Sequence, residues 1–354
     1  MEDIMFTIFI VIFVIGFIVA ITIFIINFIT AITKKRGDND YMKLENMPQE
    51  FKEIYNKLYS KNAPQLEELR KSVLNKYIIF GIVLLLVFVI TISIIPEHKL
   101  DGSVFEAIVT IFLGIMLVFV ILMQKYKKRY VQAYKHNIIS KFVKLVNENL
   151  QYKDIEALGI NARPDYINAN FDARHFNRFF QDDYIEGKLE NDVKINIFDI
   201  HIQNVVKRGK DTHVEEIFQG IFAKVISSKN IDTTVKISRN KLKILDSKNR
   251  IQMDSGEFEE SFDVYANDKI TAMRILTSDV MECLIDFKNK YKLDFEIVFK
   301  NNIIYARFFT GPMFEPKIIG NAMDESLIFR YYTILKFIIE ITQTVNSTKD
   351  NLDI

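Results

Sequence analysis

The sequence predicts an α+β protein with three N-terminal transmembrane helices, a helical cytoplasmic stalk, and a C-terminal, mainly antiparallel sheet covered by helices. Three observations carry this. Long apolar blocks occupy only the first third of the 354 residues. Lysine and arginine cluster on one side of each block. From Val193 onward the apolar spacing changes from the helical period to alternation, and the links between alternating runs are too short for parallel crossovers.

The first block, Ile4–Ile32, is long enough to span about 30 Å of hydrocarbon. Glu2 and Asp3 precede it where a signal peptide would carry positive charge, so segment 1–33 reads as an uncleaved helix. Tyr77–Ile95 and Ala107–Met123, joined by Pro96–Glu106, read as a transmembrane hairpin within segment 77–123. No basic residue precedes the first block, the hairpin loop holds only Lys99, and the segments after the first and third blocks are rich in lysine and arginine. That asymmetry predicts a multi-pass protein of the inner (plasma) membrane, N-terminus outside and C-terminal domain cytoplasmic.

Segment 34–76 begins with a polar linker, Gly37–Glu45. Pro48 suits the first turn of a helix, and Phe51, Ile54, Tyr55 and Leu58 share one face. Pro64 suits a second helix start. In segment 124–150, Tyr126, Tyr130, Val131, Tyr134, Ile138, Phe142, Leu145 and Val146 mark another amphipathic helix. The two would pair as an antiparallel stalk about 25 residues long.

Segment 151–354 is the α+β domain. A short helix is expected at Asn168–Phe180, with Phe171, His175, Phe176 and Phe179 on one side. Gln181–Tyr184 and Glu186–Lys188 read as a turn region. The run from Val193 to Ile202 reads as a strand with a bulge near Phe198, followed by a strand at Ile217–Ser227. Thr234–Ser238 and Lys241–Leu245 form a hairpin candidate. Asp254 and Glu257 have capping-box spacing for a short helix, and Asp263–Ala266 is a brief strand. Thr271–Ile275 and Thr277–Tyr291 read as helices, the second capped by Thr277. Asp294–Lys300 and Ile303–Phe309 make a hairpin turning at Asn301-Asn302. Asp324–Val345 is a closing helix. Arg330, Lys336 and Glu340 would each cost about 2.5–3.5 kcal/mol at mid-membrane, so this helix is assigned to the sheet.

Composition excludes several function classes. A net charge of +1 argues against a generally basic nucleic-acid binder. The single cysteine, Cys283, sits inside a helical pattern and reads as a buried structural thiol. The five histidines are scattered, without metalloprotease or paired-cysteine spacing. Asp172, His175, Asp182 and Asp183 are the nearest approach to a metal cluster, and read as a helix cap with a solvated turn. Glu257, Glu259, Glu260, Asp263 and Asp268 form the densest acidic patch. No cofactor and no catalytic residue is assigned. The candidate site is a basic collar for the membrane surface: Lys34, Lys35, Arg36, Lys125, Lys127, Lys128 and Arg129. Anionic head groups attract such residues by about 1 kcal/mol per charge.

Two stretches, Ala63–Lys71 leading into the hairpin and Arg250–Tyr265 with its Glu257-Phe258-Glu259 core, carry a family resemblance. Between and after them lie Gln181–Gly187, Phe218–Phe222 and Met313-Phe314-Glu315-Pro316. In this order they resemble the bacterial DUF3137 family of membrane-attached proteins over roughly residues 60–320. Ser278 stands where the family commonly has proline, and Ile4–Ile32 looks like an addition to a two-span core. The resemblance implies an architecture and brings no activity, cofactor or site residue.

The expected function is a membrane-anchored cytoplasmic binding or scaffold module near the inner leaflet. Its expected partners are the lipid bilayer, anionic head groups and a protein, and not nucleic acid. The alternative is an enzyme or sensor that acts on a lipid or membrane-proximal ligand through the acids at 182–186 and 257–268.

Overall fold

Helix α1 (Gln49–Ile94) begins behind Pro48 and runs without interruption. The computed structural model describes residues 47–94, 102–171, 174–209, 211–227, 233–239 and 249–347. These divide into two units: one takes the chain to His136 together with Pro316–Ser326, the other takes Asn137–Glu315 and the chain from Leu327.

In the first unit α1 pairs with α2 (Gly102–Tyr134), with Phe80 stacked on Phe119 and the Lys76 ammonium 4.5 Å from the Tyr126 ring centre. Pro64 lies inside α1 and starts no second helix. Proline removes one backbone bond, but Leu58, Ala63 and Leu66 are buried around it, and that packing keeps the helix going. The segment Pro316–Ser326 is fixed to the helices through its backbone. Arg70 Nη1 donates to the Ile318 carbonyl at 2.7 Å, and the Tyr130 hydroxyl to the Lys317 carbonyl at 2.9 Å. The Tyr55 hydroxyl donates to the Met323 carbonyl at 2.7 Å, and Glu67 accepts the Ala322 N–H at 3.3 Å.

Among the described residues no helix is long and apolar enough to cross a membrane, which corrects the expectation of three transmembrane helices. The first expected span, Ile4–Ile32, lies outside the described residues. The other two are lengths of α1 and α2. From Tyr77 to the end of α1 is about 27 Å, and Ala107–Met123 about 26 Å, at 1.5 Å per residue. A hydrocarbon core measures about 30 Å. Each apolar length also continues directly into a charged part of its own helix.

The second unit begins at Asn137, within the π-helical turn Lys135–Ile139, and continues through α3 (Ser140–Val146). Then come β1 (Leu150–Asp154), α4 (Ile155–Leu158), α5 (Arg163–Ala169), β2 (Arg178–Lys188), β3 (Lys194–Arg208), β4 (Asp211–Ile226) and β5 (Val235–Arg239). After β6 (Arg250–Ile251) follow α6 (Gly256–Ser261), β7 (Phe262–Ala266), α7 (Lys269–Ile275) and α8 (Ser278–Tyr291). The hairpin β8 (Phe295–Lys300) and β9 (Ile303–Phe308) precedes the closing helix α9 (Glu325–Ser347). The strands form one nine-stranded sheet in the order β1-β2-β3-β4-β9-β8-β5-β7-β6. Every neighbouring pair is antiparallel, as the short strand-to-strand links require.

Both faces of this sheet are covered. On one, Tyr166 of α5 and Phe171 pack among Phe218, Phe222, Phe198 and Tyr305. On the other, Phe337 of α9 stacks on Phe287 of α8 at 3.9 Å and reaches Phe295 and Phe308. Double coverage explains the break in alternation near Phe198, which is not a bulge: Phe198 and Asp199 are both buried, one to each face. Glu296 and Arg307 stand opposite each other in the β8–β9 ladder, each 2% exposed, with Arg307 Nε 2.8 Å from Glu296 Oε2. Arg307 Nη1 also donates to the Tyr166 hydroxyl at 2.7 Å, and the guanidinium lies over the rings of Phe171, Phe218 and Phe309.

Several local expectations are corrected. The helix expected at Asn168–Phe180 is not found among the described residues: α5 ends at Ala169 and β2 begins at Arg178. The expected turn at 181–188 is the body of β2. Its glycine serves a close approach: a Cβ on Gly187 would stand 2.3 Å from the Asn149 carbonyl oxygen. Ser255, not Asp254, caps α6, accepting the Phe258 N–H at 3.3 Å. Thr277 precedes α8, but its hydroxyl makes no cap bond. Lys241–Leu245 lies outside the described residues. The Asn301-Asn302 turn stands as expected, both residues at positive φ (50° and 60°), the conformation a two-residue hairpin turn needs.

Two predictions follow from this packing. Glu296→Gln leaves the buried Arg307 charge without its counterion, and should cost about 3–5 kcal/mol in urea unfolding; the paired change Glu296→Leu with Arg307→Met should cost clearly less than either single change. The Arg70 hydrogen bond holds the Glu67 carboxyl below the usual carboxylate range. The stability this contributes is full above the unfolded-state value near 4.3 and is lost as pH falls through the lower folded value. Glu67→Gln should therefore flatten the acid limb of a stability–pH profile, an effect absent if the pair contributes nothing.

Candidate functional site

The first candidate lies on the α1–α2 pair. Ile78, Ile79, Ile82, Val83, Leu85, Leu86 and Val89 of α1 are 45–60% exposed, and Leu117, Val118, Val120, Ile121 and Leu122 of α2 are 44–63% exposed. Contiguous exposed apolar surface on this scale marks a site that another surface covers. Directly beyond it on α2 stand Lys125, Lys127, Lys128 and Arg129, all exposed. At 100° per residue these four spread over about 200° of the helix surface, an arc of positive charge open on the side of Tyr126 and Tyr130. Among the described residues none of the four makes an ion pair. Lys34, Lys35 and Arg36, the other half of the expected collar, lie outside the described residues.

The second candidate is built by an irregularity in β2. The β2–β3 register shifts between Gln181 and Tyr184, so that Asp182 and Asp183 together stand opposite the single residue Asp199. A bulge turns consecutive side chains to unequal surroundings: Asp182 is exposed and Asp183 is 1% exposed. Carboxylate oxygens of Asp182, Asp183 and Glu315 come within 4.8 Å of one another. Glu315 is held nearby because Asp199 Oδ2 accepts the Met313 N–H at 2.7 Å and the Gln219 carbonyl accepts the Gly311 N–H at 3.2 Å. An all-oxygen set suits a hard divalent cation in type. However, the Tyr152 hydroxyl donates to Asp183 at 2.5 Å, and all three acids interact with further neighbours. The grouping expected from sequence differs: Asp172 lies outside the described residues, and His175 is not part of the cluster. Glu315 was missed because it is remote in sequence. The only signal for it was that Gln181–Gly187 and Met313–Pro316 both belong to the stretches that carry the family resemblance.

The remaining sequence candidates have structural roles. Glu259 pairs with Arg250 at 3.0 Å and accepts the Met253 N–H at 2.7 Å, while Asp263 takes Arg250 Nε at 2.8 Å. Glu257 accepts from Asn289 at 3.1 Å. Asp268 caps α7 through the Thr271 N–H at 2.8 Å. Glu186 pairs with Lys153 and accepts the Tyr184 hydroxyl, which together hold its carboxyl below the usual range. Burial, with Glu340 and Asp286 nearby, pushes the Cys283 thiol up to about 12, so it carries almost no thiolate at neutral pH.

Fold and sites together define an α+β chain with an exposed apolar helix pair and no assembled catalytic constellation among the described residues. A family model described as a protein of unknown function, DUF3137, matches residues 216–347, from the middle of β4 through α9. Over that stretch the chain resembles the family, as its motifs indicate. No curated protein matches. Among solved structures the chain is similar to the crystal structure of the mycobacterial trehalose monomycolate transport factor A, TtfA, at 13% identity and a TM-score of 0.23. That likeness covers 44% of this chain and 73% of the other.

Removing the hydroxyl that supports the buried Asp183 tests the β2 cluster as a structural element. Tyr152→Phe should lower unfolding stability by about 1–3 kcal/mol, read by chemical denaturation. An unchanged midpoint would show that Asp183 does not depend on that bond.

Proposed function

We propose that this chain is a non-enzymatic binding or scaffold module that works at an anionic membrane surface, such as the inner leaflet. The α1–α2 apolar band would sit at the boundary between head groups and acyl chains without crossing the bilayer, as interfacial helices do. The arc of Lys125, Lys127, Lys128 and Arg129 would lie among the phosphates. The observation that carries the reading is the continuity of these two surfaces: a broad exposed apolar band with unpaired positive charge at its border. Four basic residues near an anionic surface contribute up to about 4 kcal/mol. Covering half-exposed Leu and Ile side chains adds roughly 1 kcal/mol each. The sheet unit is then free to hold a protein partner close to the membrane.

The β2 cluster supports one second reading, an enzyme or sensor acting on a membrane-proximal ligand through Asp182, Asp183 and Glu315. It ranks below the first because Glu259 and Asp263 of the sequence proposal are committed to Arg250, and Asp268 to a helix cap.

Vesicle co-sedimentation of the full chain tests the proposal. Binding to vesicles rich in phosphatidylglycerol should exceed binding to pure phosphatidylcholine at least tenfold and fall with added salt. The change of Lys125, Lys127, Lys128 and Arg129 together to alanine should remove that preference. Leu86→Glu with Leu117→Glu should abolish binding to both. Failure of the unaltered chain to sediment with either vesicle would overturn the reading.

A further inference from the structure

We infer that the β3–β4 hairpin carries a self-pairing edge, through which two copies of this chain join antiparallel about a two-fold axis at Val214. The inference is independent of the membrane reading, since the hairpin lies wholly within the second unit. The two strands outrun the sheet. β2 pairs with β3 only as far as Gln203, and β9 pairs with β4 only over residues 221–226. Beyond these limits residues 204–208 and 211–216 continue as a two-stranded ribbon. At its root the register shifts between Ile202 and Gln203, which leaves Ile217 as an extra residue on β4. Every residue of 211–216 is exposed, Val214 to 47%. A two-stranded ribbon is marginal alone, and an open strand edge is a template for another strand.

The two edges of the ribbon differ. On β3 the Asn177 N–H donates to the Gln203 carbonyl at 3.2 Å. The Asn177 carboxamide accepts the Val205 N–H at 2.9 Å and donates to the Val205 carbonyl at 2.8 Å, so that edge is closed. The same bonds fix which way β4 faces. Gln203 and Val205 direct their backbone groups away from β4. Their partners Glu216 and Val214 therefore direct theirs away from β3, and Thr212 follows by alternation. Among the described residues no hydrogen bond reaches those outward groups. Past them the edge closes again: Arg174 Nη2 donates to the Ile217 carbonyl at 3.0 Å, and the Gln219 carbonyl accepts the Gly311 N–H at 3.2 Å. The open length is residues 212–216, with no proline, glycine or lysine to blunt it.

Charge makes a second copy the fitting occupant and selects its register. Antiparallel pairing sets outward-facing residues directly against each other. Centred on Val214, it sets Val214 against Val214, Thr212 against Glu216 and His213 against Glu215. Each of those carboxylates meets a hydroxyl or an imidazole, and the two valines cover each other. Centred one residue nearer the tip, the pairing sets Asp211 against Glu215; one residue nearer the root, it sets Glu215 against itself. Like charges directly opposite are destabilising. A pairing centred on Thr212 runs off the end of β4 after Asp211. A ladder of this length buries less than the roughly 1,200 Å² of a stable complex, so the pairing is reversible and set by concentration.

Sedimentation equilibrium of the full chain, in a detergent that covers the α1–α2 band, should show a monomer–dimer equilibrium. Val214→Pro removes an N–H that points away from β3, and proline is tolerated at such edge positions. It should weaken dimerisation at least tenfold and leave thermal unfolding unchanged. Cross-linking gives a second readout that does not depend on that variant. The two copies of residue 214 form a directly bonded pair, about 5.5 Å apart at Cα, which is within disulfide range. In a Cys283→Ala chain, Val214→Cys should give a disulfide-linked dimer under mild oxidation. Thr212→Cys, whose two copies stand about 14 Å apart along the ladder, should not. A chain that stays monomeric at every concentration, a dimer of unchanged strength in the folded Val214→Pro chain, or equal cross-linking of the two cysteine variants would overturn the inference.

Discussion

The buried pair Glu296–Arg307 is the constraint from which the sheet unit follows. Two charges at 2% exposure have given up their hydration, and only a fixed geometry returns enough to keep them there. That geometry comes from neighbours in three directions. The β8–β9 ladder sets Glu296 opposite Arg307, α5 supplies the Tyr166 hydroxyl, and Phe171, Phe218 and Phe309 present their ring faces to the guanidinium. A one-residue slip of β9 would turn Arg307 to the opposite face, among Phe287, Phe295 and Phe337. The charge would then be buried with no partner. The pair therefore selects one register for β8–β9, and through the β4–β9 pairing it fixes β4 as well. Gly220 reinforces the same join: its φ of +150° and a hypothetical Cβ only 2.1 Å from the Phe308 carbonyl oxygen leave no room for a side chain.

The acidic residues show how context decides what a carboxylate does. Those of the 257–268 stretch close local structure: a helix cap, an arginine clamp, a bond to a neighbouring helix. Asp182, Asp183 and Glu315 differ, because a bulge and a distant loop bring three carboxylates within 4.8 Å of one another. The Tyr152 hydroxyl donates to the buried Asp183 among them.

Much of the fold is legible in the sequence because it is set by local chemistry. The Asn301-Asn302 turn, the antiparallel links, the long closing helix and the Asp263–Ala266 strand all rest on residues a few positions apart. The failures have a common cause, which is that the deciding contact lies far along the chain. Gln181–Lys188 looks like a turn from its acids and glycine, yet Asn149 and β3 make it a strand. Pro64 looks like a helix start, yet packing carries α1 through it. The apolar lengths of α1 and α2 look like membrane spans when read by composition, but each is one part of a longer, partly charged helix. For the candidate sites, the Lys125–Arg129 arc was readable as a cluster, since it is contiguous. The Asp182–Asp183–Glu315 meeting was not, because only a bulge in the sheet and a distant loop bring its members together.

The position of Pro316–Ser326 has a consequence for biosynthesis. The helices α1 and α2 leave the ribosome early, but the segment that satisfies Arg70, Tyr130 and Tyr55 is translated only after almost the whole sheet unit. About 180 residues separate the end of α2 from that segment, so at about 5–20 residues per second the wait is about 9–36 s. During that interval the helix pair carries an unfilled docking groove as well as its exposed apolar band. A nascent chain of this design depends on something to shield it, and any chain stopped before Pro316 has a first unit that can never be completed.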